Sequence, residues 1–152
     1  MEFGFRNCEY TDCEFVLHLK EIGMKWYIEI LYGWDIDVQR RITKEEINKY
    51  KDNMRIIVVD NKDIGVTTFY EENNEYVVGL IIVHPDYGGN GIATKIINEY
   101  IDVAKKEKKN IRLKTYKYNP AKRLYERLGF KKYHEDDTHV YLNIDFNKKE
   151  NI

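Results

Sequence analysis

The residues with the clearest chemical potential lie in positions 83–94, which read Val-His-Pro-Asp-Tyr-Gly-Gly-Asn-Gly-Ile-Ala-Thr. Positions 75–84, with an apolar run from Val77 to Val83, read as a buried strand that stops at Pro85. Gly88, Gly89, Asn90 and Gly91 follow, and a helical pattern begins at Ile92. Strand, glycine loop and helix in that order gather backbone N–H groups at the positive end of a helix dipole, which suits a phosphate. Glycine lets the backbone approach a ligand with no side chain between them. Thr94 adds a hydroxyl in the first turn. The same glycines could simply make a turn. The loop lacks the Gly-Lys-Ser/Thr ending of a nucleotide-hydrolysing P-loop. Nor is it Gly-x-Gly-x-x-Gly after a first strand. Lys105, Lys106, Lys108 and Lys109 close the helix, where its dipole favours cations.

The elements that must position this loop follow from hydrophobic period and turn residues. A first strand is expected over 3–9. Thr11 or Asp12 then caps a helix whose inner residues are Phe15, Val16, Leu19, Ile22 and Trp26 and which Gly33 ends. A second helix covers 36–50. Strands follow over 55–60, 65–71 and 75–84, with turns at Asn61-Lys62-Asp63 and Glu72-Asn73-Asn74. After the loop comes a helix with Ile92, Ile96, Ile97, Tyr100, Ile101 and Ala104 on one face. Then come a strand over 111–117, a short helix capped by Asn119 with Pro120 at its first position, and strands over 130–134 and 140–146. The short helix has Ala121, Leu124, Tyr125 and Leu128 inside and Gly129 as its stop. The order β-α-α-β-β-β-α-β-α-β-β implies an α/β fold with a mixed sheet and helices on its faces.

At 152 residues the chain fits a single domain over 1–152, and 43% hydrophobic residues suffice for a core. Its net charge of −1 argues against nucleic acid as the main partner. The first residues show no basic segment leading into an apolar one, so no secretory signal is expected. No apolar run approaches the ~20 residues that span a bilayer, so no membrane partner is expected. Cys8 and Cys13 match no metal or redox spacing; free thiols in a reducing, cytoplasmic setting are expected, and no metal.

The glycine loop resembles the acetyl-coenzyme A loop of the GNAT superfamily of N-acetyltransferases, Arg/Gln-x-x-Gly-x-Gly/Ala. Here it reads Gly88-Gly89-Asn90-Gly91-Ile92-Ala93. Gly91 and Ala93 match the small positions, and Gly88 stands where the family prefers Arg or Gln. A second stretch, Asn119-Pro120-Ala121-Lys122-Arg123-Leu124-Tyr125-Glu126-Arg127-Leu128-Gly129-Phe130, resembles the family's later Asn-x-x-Ala-x-x-x-Tyr-x-x-x-Gly-Phe. The resemblance implies a mostly antiparallel central sheet with helices on both faces. It implies acetyl-CoA as acyl donor and direct transfer to a primary amine of a small molecule or peptide. The strands over 75–84 and 111–117 would splay around the pantetheine arm. Ile81, Ile82 and Val83 would bond that arm through their backbone, the loop from Gly88 through Gly89, Asn90, Gly91, Ile92 and Ala93 to Thr94 would take the phosphates, and Asn119 would touch the arm. One of the lysines at 105–109 could meet the 3′-phosphate. Tyr125 would protonate the departing thiolate, although it also suits the core.

An amine attacks only when neutral, so a base is needed. Glu75 is the first candidate, ahead of Glu71, Glu72 and His84, although a strand-end acid is also ordinarily solvated. The acceptor is expected at the first two helices, among Trp26, Tyr27, Glu29, Tyr32, Trp34, Asp35 and Asp37, with Tyr27, Tyr32 and Trp34 as its contacts. The same residues also read as a helix–helix core with an acidic edge. Rival readings are a protein N-terminal or lysine acetyltransferase and a non-catalytic acyl-CoA sensor. A homodimer is compatible with either.

Overall fold

The computed structural model describes residues 1–147. Along them run β1 (Gly4–Asn7), α1 (Cys13–Tyr32), α2 (Ile36–Tyr50), β2 (Met54–Val59), β3 (Lys62–Glu72) and β4 (Glu75–Val83). Then come α3 (Ile92–Glu107), β5 (Ile111–Tyr116), α4 (Lys122–Arg127), β6 (Lys131–Glu135) and β7 (His139–Ile144). This is the expected order. The strands form a seven-stranded sheet, β1-β2-β3-β4-β5-β7-β6. The pairs β1–β2, β2–β3, β5–β7 and β6–β7 are antiparallel, and β4–β5 is parallel.

Two hairpins turn on consecutive left-handed residues: Asp60 and Asn61 (φ 49° and 62°), then Asn73 and Asn74 (φ 53° and 63°). Asn and Asp tolerate that conformation better than other side chains, which is why these pairs turn the chain. The first turn thus falls earlier than expected, and β3 begins at Lys62.

The chain forms two compact units. One comprises Met1–Thr68 with Leu80–Ala93; the other comprises Phe69–Gly79 with the described residues 94–147. In the first, Cys8, Cys13, Val16, Leu19, Ile47, Met54, Ile56, Val66 and Ile82 form the core. Burying each large aliphatic side chain contributes about 1.5–3 kcal/mol. Both cysteines are free and buried, and burial pushes the Cys8 thiol up to about 11.

The inner face of α1 differs from the expected stripe. Ile22 and Trp26 are exposed, and Leu17, Lys20, Tyr27 and Ile28 are buried instead. Two residues on this face hide it from hydrophobic periodicity. Lys20, 3% exposed, donates from Nζ to Thr43 Oγ1 (3.0 Å) and Glu46 Oε1 (2.9 Å), tying α1 to α2. Gly23 lies so close to β4 that a Cβ there would sit 3.3 Å from Ile82 Cγ2. Asp12 also departs from expectation, since its carboxylate does not cap α1. Its two oxygens accept from the Arg6 guanidinium at 2.9 and 2.7 Å, and one accepts from the Glu9 N–H at 2.8 Å.

In the second unit, Ile96, Ile97, Tyr100 and Ala104 of α3 are buried. The Phe69 ring stacks on Tyr76 and on Tyr100, with centroids 5.0 and 4.0 Å apart. On β5 and β7, Ile111, Leu113, Thr115, Val140 and Leu142 alternate inward, as a period of two requires. A Cβ on Gly129, just past α4, would lie 3.6 Å from Ile144 Cδ1, which puts the end of α4 on this same face.

Candidate active site

The glycine loop begins with a 3-10 turn over Pro85–Tyr87. His84 holds it: Nδ1 accepts from the Asp86 N–H at 3.1 Å, and the His84 carbonyl accepts from the Tyr87 N–H at 2.9 Å. Asn90 Nδ2 donates to the Tyr87 carbonyl at 3.1 Å. Gly89 and Gly91 adopt φ of 76° and 73°, the region that glycine alone occupies freely. A Cβ at either would meet nothing within 4 Å, so the loop presents bare backbone. Ile92 opens α3 and is buried, which anchors the loop from below. The first N–H groups of a helix have no intrahelical acceptor. The N–H groups of Ile92, Ala93 and Thr94 form that first turn of α3. Gly88 has an ordinary extended backbone (φ −68°, ψ 158°).

Upstream of the loop, Ile81, Ile82 and Val83 end β4. A Cβ on Gly65 of β3 would approach the Ile82 carbonyl oxygen to 2.5 Å. Ile82 thus has two glycines against it, Gly23 of α1 at its side chain and Gly65 of β3 at its carbonyl. Sequence reasoning passed over both, although an isolated glycine in a helix or a strand signals close backbone approach.

In the second unit, β4 joins β5 through Tyr76↔Ile111 and Val77↔Arg112. At the other end of β5, Asn119 holds the turn into α4. Its Oδ1 accepts from the Ala121 N–H (2.9 Å) and its Nδ2 donates to Thr115 Oγ1 (2.8 Å). The helix itself starts at Lys122, so Asn119 caps the turn before it. Tyr125 is 6% exposed, edge-on to Phe130, and burial pushes its phenol up to about 12. A phenol of that pKa keeps its proton at neutral pH.

Glu75 stands elsewhere. It opens β4 beside the start of β5, with Oε2 3.0 Å from Arg112 Nε, the opposite end of β5 from Asn119. Glu72 also pairs with Arg112 (2.9 Å), and Glu71 pairs with Lys109 (2.7 Å). From Tyr76 to Val83 the strand carries no carboxylate, histidine or lysine. Of the expected acceptor contacts, Tyr27 is buried at 3% exposure, Tyr32 is exposed at the end of α1, and Trp34 is half-buried between α1 and α2. Asp35 caps α2, accepting from the N–H groups of Asp37 and Val38.

One cluster went unread in the sequence. In the β6–β7 turn, Asp136 Oδ1 accepts from the Thr138 N–H (2.9 Å), the His139 N–H (2.7 Å) and the Thr138 hydroxyl (3.2 Å). Tyr141 donates its hydroxyl to Oδ2 at 2.8 Å. Together these donors hold the Asp136 carboxyl well below the usual range. Among the described residues, no group of three or more His, Cys, Asp or Glu side chains is arranged to hold a metal ion. No helix among them is long and apolar enough to cross a membrane.

Residues 52–132, more than half of the chain, match the family model described as an acetyltransferase (GNAT) domain. The fold is similar to that of the PaiA N-acetyltransferase from Thermoplasma acidophilum, solved in complex with coenzyme A. The two are 19% identical with a TM-score of 0.75, covering 95% of this chain and 99% of that one. It is also similar to the ribosomal-protein-S18-alanine N-acetyltransferase from Escherichia coli. Here the identity is 17% and the TM-score 0.68, covering 99% of each chain. No curated protein sequence matches the chain.

Proposed function

The chain belongs to the GNAT acetyltransferase family, and from that premise we propose that it transfers an acetyl group from acetyl-CoA to a primary amine of a small molecule or peptide. The observation that carries this reading is the loop with Gly89 and Gly91 left-handed at the head of α3. It offers unobstructed backbone N–H groups to a pyrophosphate. In this reading the backbone of Ile81, Ile82 and Val83 bonds the pantetheine arm, and Asn119 contacts it.

Transfer is a single displacement. The amine lone pair attacks the thioester carbon, the C–N bond forms, and the C–S bond breaks with its electron pair going to sulfur. The thiolate takes the proton of the Tyr125 hydroxyl, which burial keeps in place until then. An N–H at the end of β4 polarises the carbonyl oxygen as negative charge grows on it.

Calorimetric titration with acetyl-CoA and dephospho-CoA, followed by thiol release over an amine panel, tests the reading. Micromolar binding and turnover on at least one amine are expected. Binding with no turnover on any amine would favour a sensor of acyl-CoA instead.

A further inference from the structure

Since β4 offers no base past Tyr76, the proton of the attacking amine must go elsewhere. We propose that His139, at the start of β7, is the general base of the acetyl transfer, taking the amine proton on Nε2; the inference rests on the acetyltransferase reading above.

Three observations place it there. The first is position. His139 pairs across the ladder with Tyr116, the last residue of β5. The Tyr116 carbonyl accepts from the Asn119 N–H (3.0 Å), so His139 stands at the end of β5 that carries Asn119 and leads into α4.

The second is the face. Thr115 and Val140 are buried on the side where Asn119 grips Thr115 and where the end of α4 meets Ile144. Tyr116 and His139 are the next pair along, so their side chains point to the opposite face. Direct transfer is served by such a division. The acid acts on the departing sulfur, and the base acts on the nitrogen arriving at the thioester carbon.

The third is the tautomer. The Thr138 hydroxyl has one hydrogen to give, and the Asp136 carboxylate 3.2 Å away, which can only accept, is one acceptor for it. With the proton there, its contact with His139 Nδ1 at 2.8 Å is an N–H donated by the ring. That leaves Nε2 unprotonated, the form a base requires. The ring packs against Tyr116 at a tilt of 36°, with centroids 4.3 Å apart, and its side chain is 17% exposed. The charged groups facing it are Lys114 from β5 and Asp136 from its own hairpin. Burial first and then Lys114 lower the imidazole from its ordinary 6.5, against the opposing pull of Asp136. The ring is thus neutral at pH 7.

The step balances. One proton passes from the amine nitrogen to Nε2, another from Tyr125 to the thiolate, and the imidazolium and phenolate exchange through water to restore the enzyme.

The experiment uses the full chain with the best acceptor from the amine panel and acetyl-CoA, both saturating. Wild type should show a kcat that falls on the acid side with an apparent pKa below 6.5. In His139→Gln, kcat should drop by about 10²–10⁴-fold, the acid limb should vanish, and acetyl-CoA affinity should stay within about twofold, one hydrogen bond being worth more. His139→Ala should regain activity on addition of imidazole. Thr138→Val keeps the ring but removes its tautomer partner, and should cost roughly fivefold. Should His139→Gln keep the wild-type kcat across the pH range, the assignment of the base falls and acetyl transfer stands. A wild-type protein that releases no thiol with any amine overturns both.

Discussion

Gly65→Ala should destabilise the protein although it adds only a methyl group to a strand. Its Cβ would stand 2.5 Å from the Ile82 carbonyl oxygen and 2.9 Å from Ile57 Cδ1. The Ile57 methyl can swing away, but the Ile82 oxygen is backbone and must carry β4 with it. Overpacking of this kind costs about 1–3 kcal/mol. For a chain of this size that is a fall of roughly 2–12 °C in Tm. At a site with room the same substitution stabilises by about 0.4–1 kcal/mol, because alanine restricts the unfolded chain. The sign alone is therefore diagnostic. Gly23→Ala is the control, since its Cβ would meet a side-chain methyl, Ile82 Cγ2, at 3.3 Å rather than backbone. There a helix-propensity gain of about 1 kcal/mol opposes a contact that can relax, so the net change should stay within about 1 kcal/mol. Thermal denaturation of the three proteins decides the matter. The Gly65 variant should also bind acetyl-CoA more weakly by roughly fivefold, about one backbone hydrogen bond, because the displaced segment is the one proposed to hold the pantetheine arm. A Gly65→Ala protein with unchanged or raised Tm would refute the close approach and the argument that glycines set the position of Ile82.

Tyr125→Phe should lower kcat by about 10²-fold or more, in the range for a lost general acid, while the Kd for acetyl-CoA, read by calorimetry, changes little. Gly88→Arg should tighten acetyl-CoA binding by roughly tenfold through a charge-assisted contact with phosphate, since φ −68° admits any residue and the Cβ contact with the Pro85 oxygen at 3.2 Å needs only a small shift. Asp12→Asn should cost about 1–2 kcal/mol at pH 7 by weakening the pair with half-exposed Arg6. The Arg6 guanidinium holds the Asp12 carboxyl below its ordinary 3.8, so that stabilisation is full above the unfolded value and fades as pH falls through the lowered one. Denaturant curves of the two proteins should therefore converge in acid.

The order of elements was legible because the signals are local. Pro85, the glycines and the apolar period of α3 each act within one turn of their own position, and α2 falls at 36–50 as expected. What was not legible depends on partners far along the chain. Asp12 looks like a helix cap until Arg6 arrives from β1, itself bound to Asp63 on β3 at 2.8 Å. On α1 the inner face was read one step around the helix, because Lys20 and Gly23 are inner residues that no hydrophobic scale marks. Tyr27 and Trp26 differ by one position, about 100° of rotation, and that step decides which is buried.

The same distinction governs the site. The glycine loop is a short local motif, so its geometry can be read from twelve consecutive residues. The proposed acid–base pair is a product of register. Glu75 suggested itself by nearness in sequence to the strand that should flank the coenzyme, but parallel pairing of Tyr76 with Ile111 sets it beside Arg112, at the far end of β5. The antiparallel pairing of Tyr116 with His139 brings a ring from the other side of the chain to the near end. Nothing local to His139 announces that meeting; the one available signal is Asp136 followed by Thr138, a turn that fixes its own N–H donors. A base supplied by β7 also explains why β4 can be apolar from Val77 to Val83 without loss of chemistry. A strand freed of the proton transfer can be built for packing, with Gly23 making room at the Ile82 side chain and Gly65 at its carbonyl.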